Sequence, residues 1–221
     1  HPMTNFRNVG VQLFFTAYGG STYYSWKSDG TEAGTRPLEE AQNGISTPVP
    51  QFVAMGSSIY YYNTPDFDAA YYGTELRKMN ANGSGSVVIA HLVQPDFYTR
   101  YVPELATMNH SLYLIARNDE GSGFKLFRSN GTPGHLLMIN DSHKGTQSSS
   151  PYNFVPSEGG QVFFAAEEQL YEQHSLWRTD GMPGGTIKLT DQQLAGSPGM
   201  VSTKSTVYFS TYPSLSIWKT N

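Results

Sequence analysis

Leu176-Trp-Arg-Thr-Asp-Gly181 decides how this chain reads, because variants of it recur at Ser25-Trp-Lys-Ser-Asp-Gly-Thr31, Leu126-Phe-Arg-Ser-Asn-Gly-Thr132 and Ile217-Trp-Lys-Thr-Asn221, with a more distant copy at Leu76-Arg-Lys-Met-Asn80. Four of the five keep an aromatic ring followed by Lys or Arg. The Asp-Gly and Asn-Gly pairs that follow are hairpin signals, since those residues tolerate the positive φ that a tight turn demands. A short apolar run then completes each hairpin, as in Val87-Val-Ile89, Leu136-Leu-Met-Ile139 and Ile187-Lys-Leu189.

Upstream of each copy stands another strand-like run: Val11 to Ala17, Ser58 to Tyr62, Ser111 to Ala116, Gln161 to Ala166 and Thr206 to Ser210. Taking Leu13, Ile59, Leu112, Val162 and Val207 as equivalent gives steps of 46, 53, 50 and 45 residues. Seven positions before each anchor lies a further apolar residue, Phe6, Phe52, Leu105, Val155 or Met200. The unit is therefore four strands, A to D, joined by short turns and variable loops. Such a unit at such a period predicts an all-β fold, a five-bladed β-propeller of four-stranded antiparallel blades. The repeat units are about 2–46, 47–98, 99–147, 148–194 and 195–221 of a single domain. The fifth reaches Asn221 where a turn glycine and strand D would follow. The last blade is therefore expected to lack its outer strand. Ring closure would remove exposed edges, whereas an outer strand supplied by another segment would make the incomplete blade a point of self-assembly.

These residues resemble the bacterial repeat family whose signature reads Glu-Leu-Trp-x-x-Asp-Gly-Thr, a propeller-forming repeat of large exported proteins. Trp26 through Gly34-Thr35 and Leu176 through Gly185-Thr186 fit best, and Leu126 through Gly134 fits with Phe127 and Asn130 substituted. The copy at Leu76 has Arg77 in place of the Trp and is more similar to a Leu-Tyr-x-Met-Asn-x-Asp-Gly propeller unit. The resemblance implies a secreted, extracellular or cell-surface location. It implies no activity, because the shared residues are turn and packing residues.

Composition narrows the partners. A net charge of −4, with only 14 Lys and Arg scattered along the chain, removes the electrostatic reason to expect nucleic acid. No apolar run approaches the ~18 residues of a membrane-spanning helix, so membrane insertion is not expected. The chain has no cysteine, which excludes disulfide and thiolate chemistry. Aromatics at 14% of the chain argue against disorder. Sequons at Asn82, Asn109, Asn130 and Asn140 mostly overlap turn sequences, where Asn, Ser and Thr gather anyway.

Antiparallel order puts the A–B and C–D turns at one edge of each blade and the B–C and D–A connections at the other. All the long segments fall at the second edge, where function on a rigid scaffold usually sits. They are expected to carry Tyr23, Tyr24, Asp66, Asp68, Tyr71, Tyr72, Phe97, Tyr98 and Tyr171 in a setting of Gly, Ser and Asn. Flat rings beside short polar groups suit sugar faces or a protein partner, so these nine are the candidate ligand-binding residues. Trp26, Trp177 and Trp218 occupy equivalent strand C positions and are expected to pack between blades.

An enzyme is the alternative, as a five-bladed glycoside hydrolase or polysaccharide lyase, which would aim two or three carboxylates inward from strand A. The predicted inner strands contain one acid, Glu104, so no catalytic residue is assigned. The six histidines show no paired metal spacing. No cofactor is expected; calcium at Asp66 and Asp68, joined by Glu75, is the one cation for which the oxygen ligands are clustered.

Overall fold

The computed structural model describes residues 3–18, 23–38, 52–63, 73–93, 104–117, 123–139, 149–167, 174–194, 199–214 and 216–220. It is built of strands in five antiparallel sheets, each a simple meander. The first sheet is β1 (Met3–Val9), β2 (Gln12–Tyr18), β3 (Tyr23–Ser28) and β4 (Arg36–Pro37). The second is β5 (Val53–Met55), β6 (Ser58–Asn63), β7 (Gly73–Asn80) and β8 (Val87–Val93). The third is β9 (Leu105–Met108), β10 (Ser111–Ala116), β11 (Lys125–Ser129) and β12 (Leu137–Met138). The fourth is β13 (Tyr152–Pro156), β14 (Val162–Ala166), β15 (Ser175–Thr179) and β16 (Ile187–Lys188). The fifth has three strands, β17 (Met200–Thr203), β18 (Thr206–Ser210) and β19 (Ile217–Thr220).

The five sheets fall on the five sequence units. Strand β4 carries no apolar run: it is an Arg-Pro pair opposite Lys27 and Trp26, too short to leave a periodic signal. Strand β8 runs four residues past the apolar triplet Val87–Ile89 because a bulge between Leu76 and Arg77 lets the ladder continue to Val93.

Two compact units are distinguished, residues 1–105 with 131–135, and residues 106–130 with 136–221. In the first, Val9, Phe14 and Leu38 of the first sheet share a core with Phe52, Ile59, Tyr61 and Met79 of the second. In the second unit the fourth sheet is buried on both faces. Val162, Phe164, Ala166 and Trp177 meet Ala106, Met108, Tyr113, Leu126 and Ile139 of the third sheet. Phe163, Ala165 and Leu176 meet Val207 and Phe209 of the fifth. Burial on both faces explains why Val162-Phe-Phe-Ala-Ala166 is unbroken apolar sequence rather than an alternating strand.

Registers align one row of side chains across each sheet: Phe14–Lys27, Tyr60–Lys78, Tyr113–Arg128, Phe163–Arg178 and Tyr208–Lys219. Within each unit the row faces the sheet that follows, as Phe14 meets Phe52 and Phe163 packs with Val207. Within the first unit the Tyr60 hydroxyl donates to the Gly131 carbonyl (3.5 Å), and the Lys27 ammonium donates to the Asn82 carbonyl. Within the second, the Tyr113 hydroxyl donates to the Asp180 carbonyl (3.4 Å) and Arg128 Nη1 to the Gly181 carbonyl (3.1 Å). Each acceptor sits in the Asn-Gly or Asp-Gly hairpin turn of the next repeat. A Cβ on Gly131 would lie 2.1 Å from the Tyr60 hydroxyl, and one on Gly181 would lie 2.2 Å from that of Tyr113. The turn glycine is therefore required twice over, by its backbone and by its neighbour.

The rest of the motif is explained by the Asp side chain. Asp29 Oδ1 accepts from the Thr31 N–H (2.9 Å) and hydroxyl (2.7 Å), bonds that hold its carboxyl below the usual value. A Cβ on Gly34 would fall 1.9 Å from that oxygen, and one on Gly185 would fall 1.7 Å from Asp180 Oδ1. The spacing from Asp to the second glycine is thus the footprint of a carboxylate folded over its own turn.

The three tryptophans are equivalent in register, but their burial differs. Trp177, 8% exposed, packs between the third and fourth sheets as expected. Trp26 is half-buried, stacked on Phe15 with ring centroids 6.2 Å apart. Trp218 corrects the expectation: it is 47% exposed, because β19 is the outermost strand of its sheet and no fourth strand flanks it. Its indole N–H donates to Thr211 Oγ1 (3.0 Å).

Trp177→Ala is expected to cost about 3–5 kcal/mol in chemical denaturation, and Trp218→Ala under about 1 kcal/mol; equal losses would place strand C wrongly. Gly181 and Gly184 share the same backbone region, φ 80 and 79, yet nothing lies within 4 Å of a Cβ on Gly184. Gly184→Ala should therefore cost only the backbone strain of about 1–2 kcal/mol. Gly181→Ala should cost more, and Tyr113→Phe in the same chain should recover part of the difference.

Candidate functional site

At one edge of the sheets, the turns between A and B are two residues long in four of the five sheets, Gly10-Val11, Gly56-Ser57, Asn109-His110 and Lys204-Ser205, and in the fourth sheet the turn runs from Ser157 to Gln161. Asn109, His110 and Lys204 take the left-handed backbone there without glycine. The hairpin turn at Gly83-Ser-Gly-Ser86 lies at this edge too, closed by Gly83 N–H donating to the Asn80 carbonyl (2.8 Å). The long connections all leave from the opposite edge.

Of the nine candidate ligand residues, Tyr23 and Tyr24 are placed on strand β3 rather than in a loop. The β2–β3 ladder continues to Tyr18 opposite Tyr23 and Ala17 opposite Tyr24, as suits the strand preference of tyrosine. Tyr24 is half-buried. Asp66, Asp68, Tyr71, Tyr72, Phe97, Tyr98 and Tyr171 lie outside the described residues.

What is described is the rim from which those segments depart. Glu75, on β7, accepts from Arg77 Nη1 at 2.6 Å, and its other oxygen lies 3.8 Å from His91 Nδ1. Burial pulls the Arg77 guanidinium down, but Glu75 and Tyr61 outweigh it and hold it above its ordinary value. Arg77 Nε also donates to Ser86 Oγ (2.8 Å), which contacts the Tyr61 hydroxyl at 2.8 Å. Arg77 therefore stands in the Trp position for a reason: it neutralises a half-buried carboxylate two residues away on the same face. A calcium ion recruiting Glu75 would have to compete with that guanidinium.

Glu104, the one acid of the inner strands, immediately precedes β9. Its backbone carbonyl accepts from the Tyr62 hydroxyl (3.4 Å). Burial, and secondarily the Glu104 charge, push the Tyr62 hydroxyl well above the ordinary tyrosine value, so it stays a proton donor.

On the fourth sheet, Glu167 and His174 bracket the segment that carries Tyr171. Glu167 Oε1 lies 3.3 Å from His174 Nε2. The Glu167 N–H donates to the Ser149 carbonyl (2.9 Å), and the Leu194 N–H to the His174 carbonyl (2.9 Å). The His174 ring meets Tyr152 edge-on, with centroids 4.8 Å apart. Burial holds His174 below its ordinary value despite the carboxylate. At neutral pH it is an uncharged donor to Glu167, pinning the base of the segment. Their pairing leaves no mark in the sequence, since nothing in a separation of seven along the chain signals contact across a hairpin.

Among the described residues, no three His, Cys, Asp or Glu are placed to hold a metal ion, and no helix is long and apolar enough to cross a membrane.

Five antiparallel meanders of this kind, the last of three strands, define a β-propeller, and comparison with solved structures gives the same fold. TolB from Acinetobacter baumannii superposes with a TM-score of 0.61 at 12% identity, over 96% of this chain and 49% of TolB. The β-propeller domain of the trilobed protease from Pyrococcus furiosus, described as having an open velcro topology, gives 0.60 at 11% identity, over 98% of this chain and 67% of that one. An α-L-arabinofuranosidase from Fusarium graminearum gives 0.50 at 11% identity, over 90% and 71%. The chain thus spans about half the length of TolB. Neither a protein-family model nor a curated protein sequence matches it.

The His174 shift has a defined sign. The unfolded chain takes up a proton as pH falls through about 6.5, while the folded form resists protonation. The contribution is complete above that pH and is lost as pH falls toward the lower folded value. His174→Gln keeps a donor and removes the titration, so its denaturation midpoint should fall less between pH 7.5 and pH 5 than the parent's. A parallel fall in both would refute the burial of this ring.

Proposed function

We propose that the chain is a binding or scaffolding module of an extracellular or cell-surface protein, not an enzyme, and that it takes carbohydrate or a protein partner at the edge bearing the long connections. The observation that carries this reading is the asymmetry of the sheets, with turns of about seven residues or fewer at one edge and all the longer, tyrosine-bearing connections at the other. Tyr24, Tyr71, Tyr72, Phe97, Tyr98 and Tyr171 supply flat rings for stacking on sugar faces or anchoring a protein. The described carboxylates of the rim support binding over catalysis: Glu75 is engaged by Arg77 and Glu167 by His174. The location rests on the resemblance to exported repeats; absence of nucleic acid as a partner rests on the acidic charge balance.

The competing reading, a glycoside hydrolase, takes encouragement from the arabinofuranosidase, but at 11% identity that likeness concerns the fold. A glycan array probed with the intact chain, alongside capture of protein partners, tests the proposal. Retained binding without turnover is expected. Tyr71→Ala with Tyr72→Ala should weaken binding about tenfold or more while leaving the melting temperature nearly unchanged. Cleavage of a bound polysaccharide would overturn the proposal in favour of the enzyme.

A further inference from the structure

Met182 breaks the pattern of the repeated hairpin turn. In the sister turns its position belongs to Thr31, Ser84 and Thr132. The hydroxyls of Thr31 and Ser84 donate to the side-chain oxygen two residues back, Asp29 Oδ1 and Asn82 Oδ1, each at 2.7 Å. A thioether has no proton to give, so the turn at Asp180 forgoes that bond and keeps the backbone one, from the Met182 N–H to Asp180 Oδ1 at 2.8 Å. The Met182 carbonyl accepts from the Gly185 N–H (3.0 Å), so the residue is anchored on both sides of its Cα.

The side chain meets a cation instead. Met182 Sδ lies 4.0 Å from Arg128 Nη1, the nitrogen that donates to the Gly181 carbonyl at 3.1 Å. Nη1 carries two hydrogens, one for the carbonyl and one for the sulfur. Arg128 is itself held in place, because its Nε donates to Ser111 Oγ at 2.9 Å. Met182 is nonetheless 58% exposed, so small solutes reach the side chain. The other methionines supply the contrast. Met79 and Met108 are buried, whereas Met138 on β12 is 54% exposed, nearly as open as Met182. Among the described residues the Met138 sulfur has no hydrogen-bond donor.

Oxidation of a thioether by hydrogen peroxide moves two electrons. The sulfur lone pair attacks one peroxide oxygen and the O–O bond breaks; the hydroxide that leaves takes the remaining peroxide proton and departs as water, and a sulfoxide remains. Negative charge builds on the departing oxygen, which a guanidinium beside the sulfur stabilises. The product oxygen is a strong acceptor where the thioether was a weak one, and the same Nη1 proton can bind it.

We propose that Met182 is the preferred oxidation site of this chain, with a peroxide as oxidant, and that Arg128 both speeds the reaction and holds the sulfoxide. Oxidation then adds a charge-assisted bond to the joint between the third and fourth sheets, beside the Tyr113 hydroxyl on the Asp180 carbonyl and Arg128 on that of Gly181. The joint becomes responsive to oxidant, independently of what the loop-bearing edge binds.

Peptide mapping by mass spectrometry during peroxide treatment of the intact chain tests it, with Met138 as the reference inside each molecule. Met182 should be oxidised at least about fivefold faster than Met138. In urea, where the turn and the guanidinium part, the two rates should become equal. Arg128→Gln should abolish the preference, with circular dichroism melts to check that the variant folds; the urea comparison stands on its own if it does not. Met182→Thr restores the residue of the sister turns, so peroxide should raise the melting temperature of the parent relative to that of this variant. Equal rates in the folded parent overturn the proposal, as does a preference that survives in urea or in folded Arg128→Gln. A melting temperature that falls on oxidation of the parent but not of Met182→Thr overturns the retention of the sulfoxide by Arg128.

Discussion

The Tyr113 hydroxyl and the Arg128 guanidinium, reaching from the third sheet to the carbonyls of the Asp180-Gly181 turn, are the contacts on which the fit of the third and fourth sheets depends. Apolar faces alone would let neighbouring sheets slide, since burial is not directional. The Tyr113 and Arg128 donors onto Asp180 and Gly181 fix position and orientation together, because two bonds from one row to one turn leave no rotation. The cores between sheets then fill a gap whose geometry is already set. The sequence motif is conserved from repeat to repeat as the complement of that junction: glycine where the hydroxyl arrives, aspartate folded over the turn, a second glycine beneath the carboxylate.

The rim follows from the same economy. Where an aromatic strand C residue is replaced, as by Arg77, a half-buried charge must be answered locally, and Glu75 answers it. Where a long segment leaves the sheet, as after Glu167, a neutral histidine can hold its base without placing a second charge in a partly dry setting. These pairs restrain the departure points of the tyrosine-bearing segments.

Much of the fold was legible in the residues because the signals were repeated. Val162-Phe-Phe-Ala-Ala166 alone could be a buried helix or strand, but five such runs at similar spacing, each followed by an aromatic-cation pair and an Asn-Gly or Asp-Gly turn, leave little choice. Strand β4 escaped because two residues of ladder carry no period, and Tyr23 and Tyr24 were put in a loop because tyrosine is as ordinary in loops as in strands. Trp218 was taken for a core residue because sequence shows equivalence of position but not the missing strand beside it. The inter-sheet cation was half visible. Four aromatic-cation pairs stood out, and Lys78 joins as the fifth cation only when the register sets it opposite Tyr60. The Glu167–His174 contact left no local trace, since it depends on how a hairpin closes.

At the junction of the third and fourth sheets one side gives, through Tyr113 and Arg128, and the other takes, through the carbonyls of the Asp180-Gly181 turn. A joint with such polarity tells the two faces of a sheet apart, since only one face carries the donors and only the neighbour's turn carries the acceptors. The connections that leave from the opposite edge take no part in that joint, so changes of sequence there leave its donors and acceptors in place.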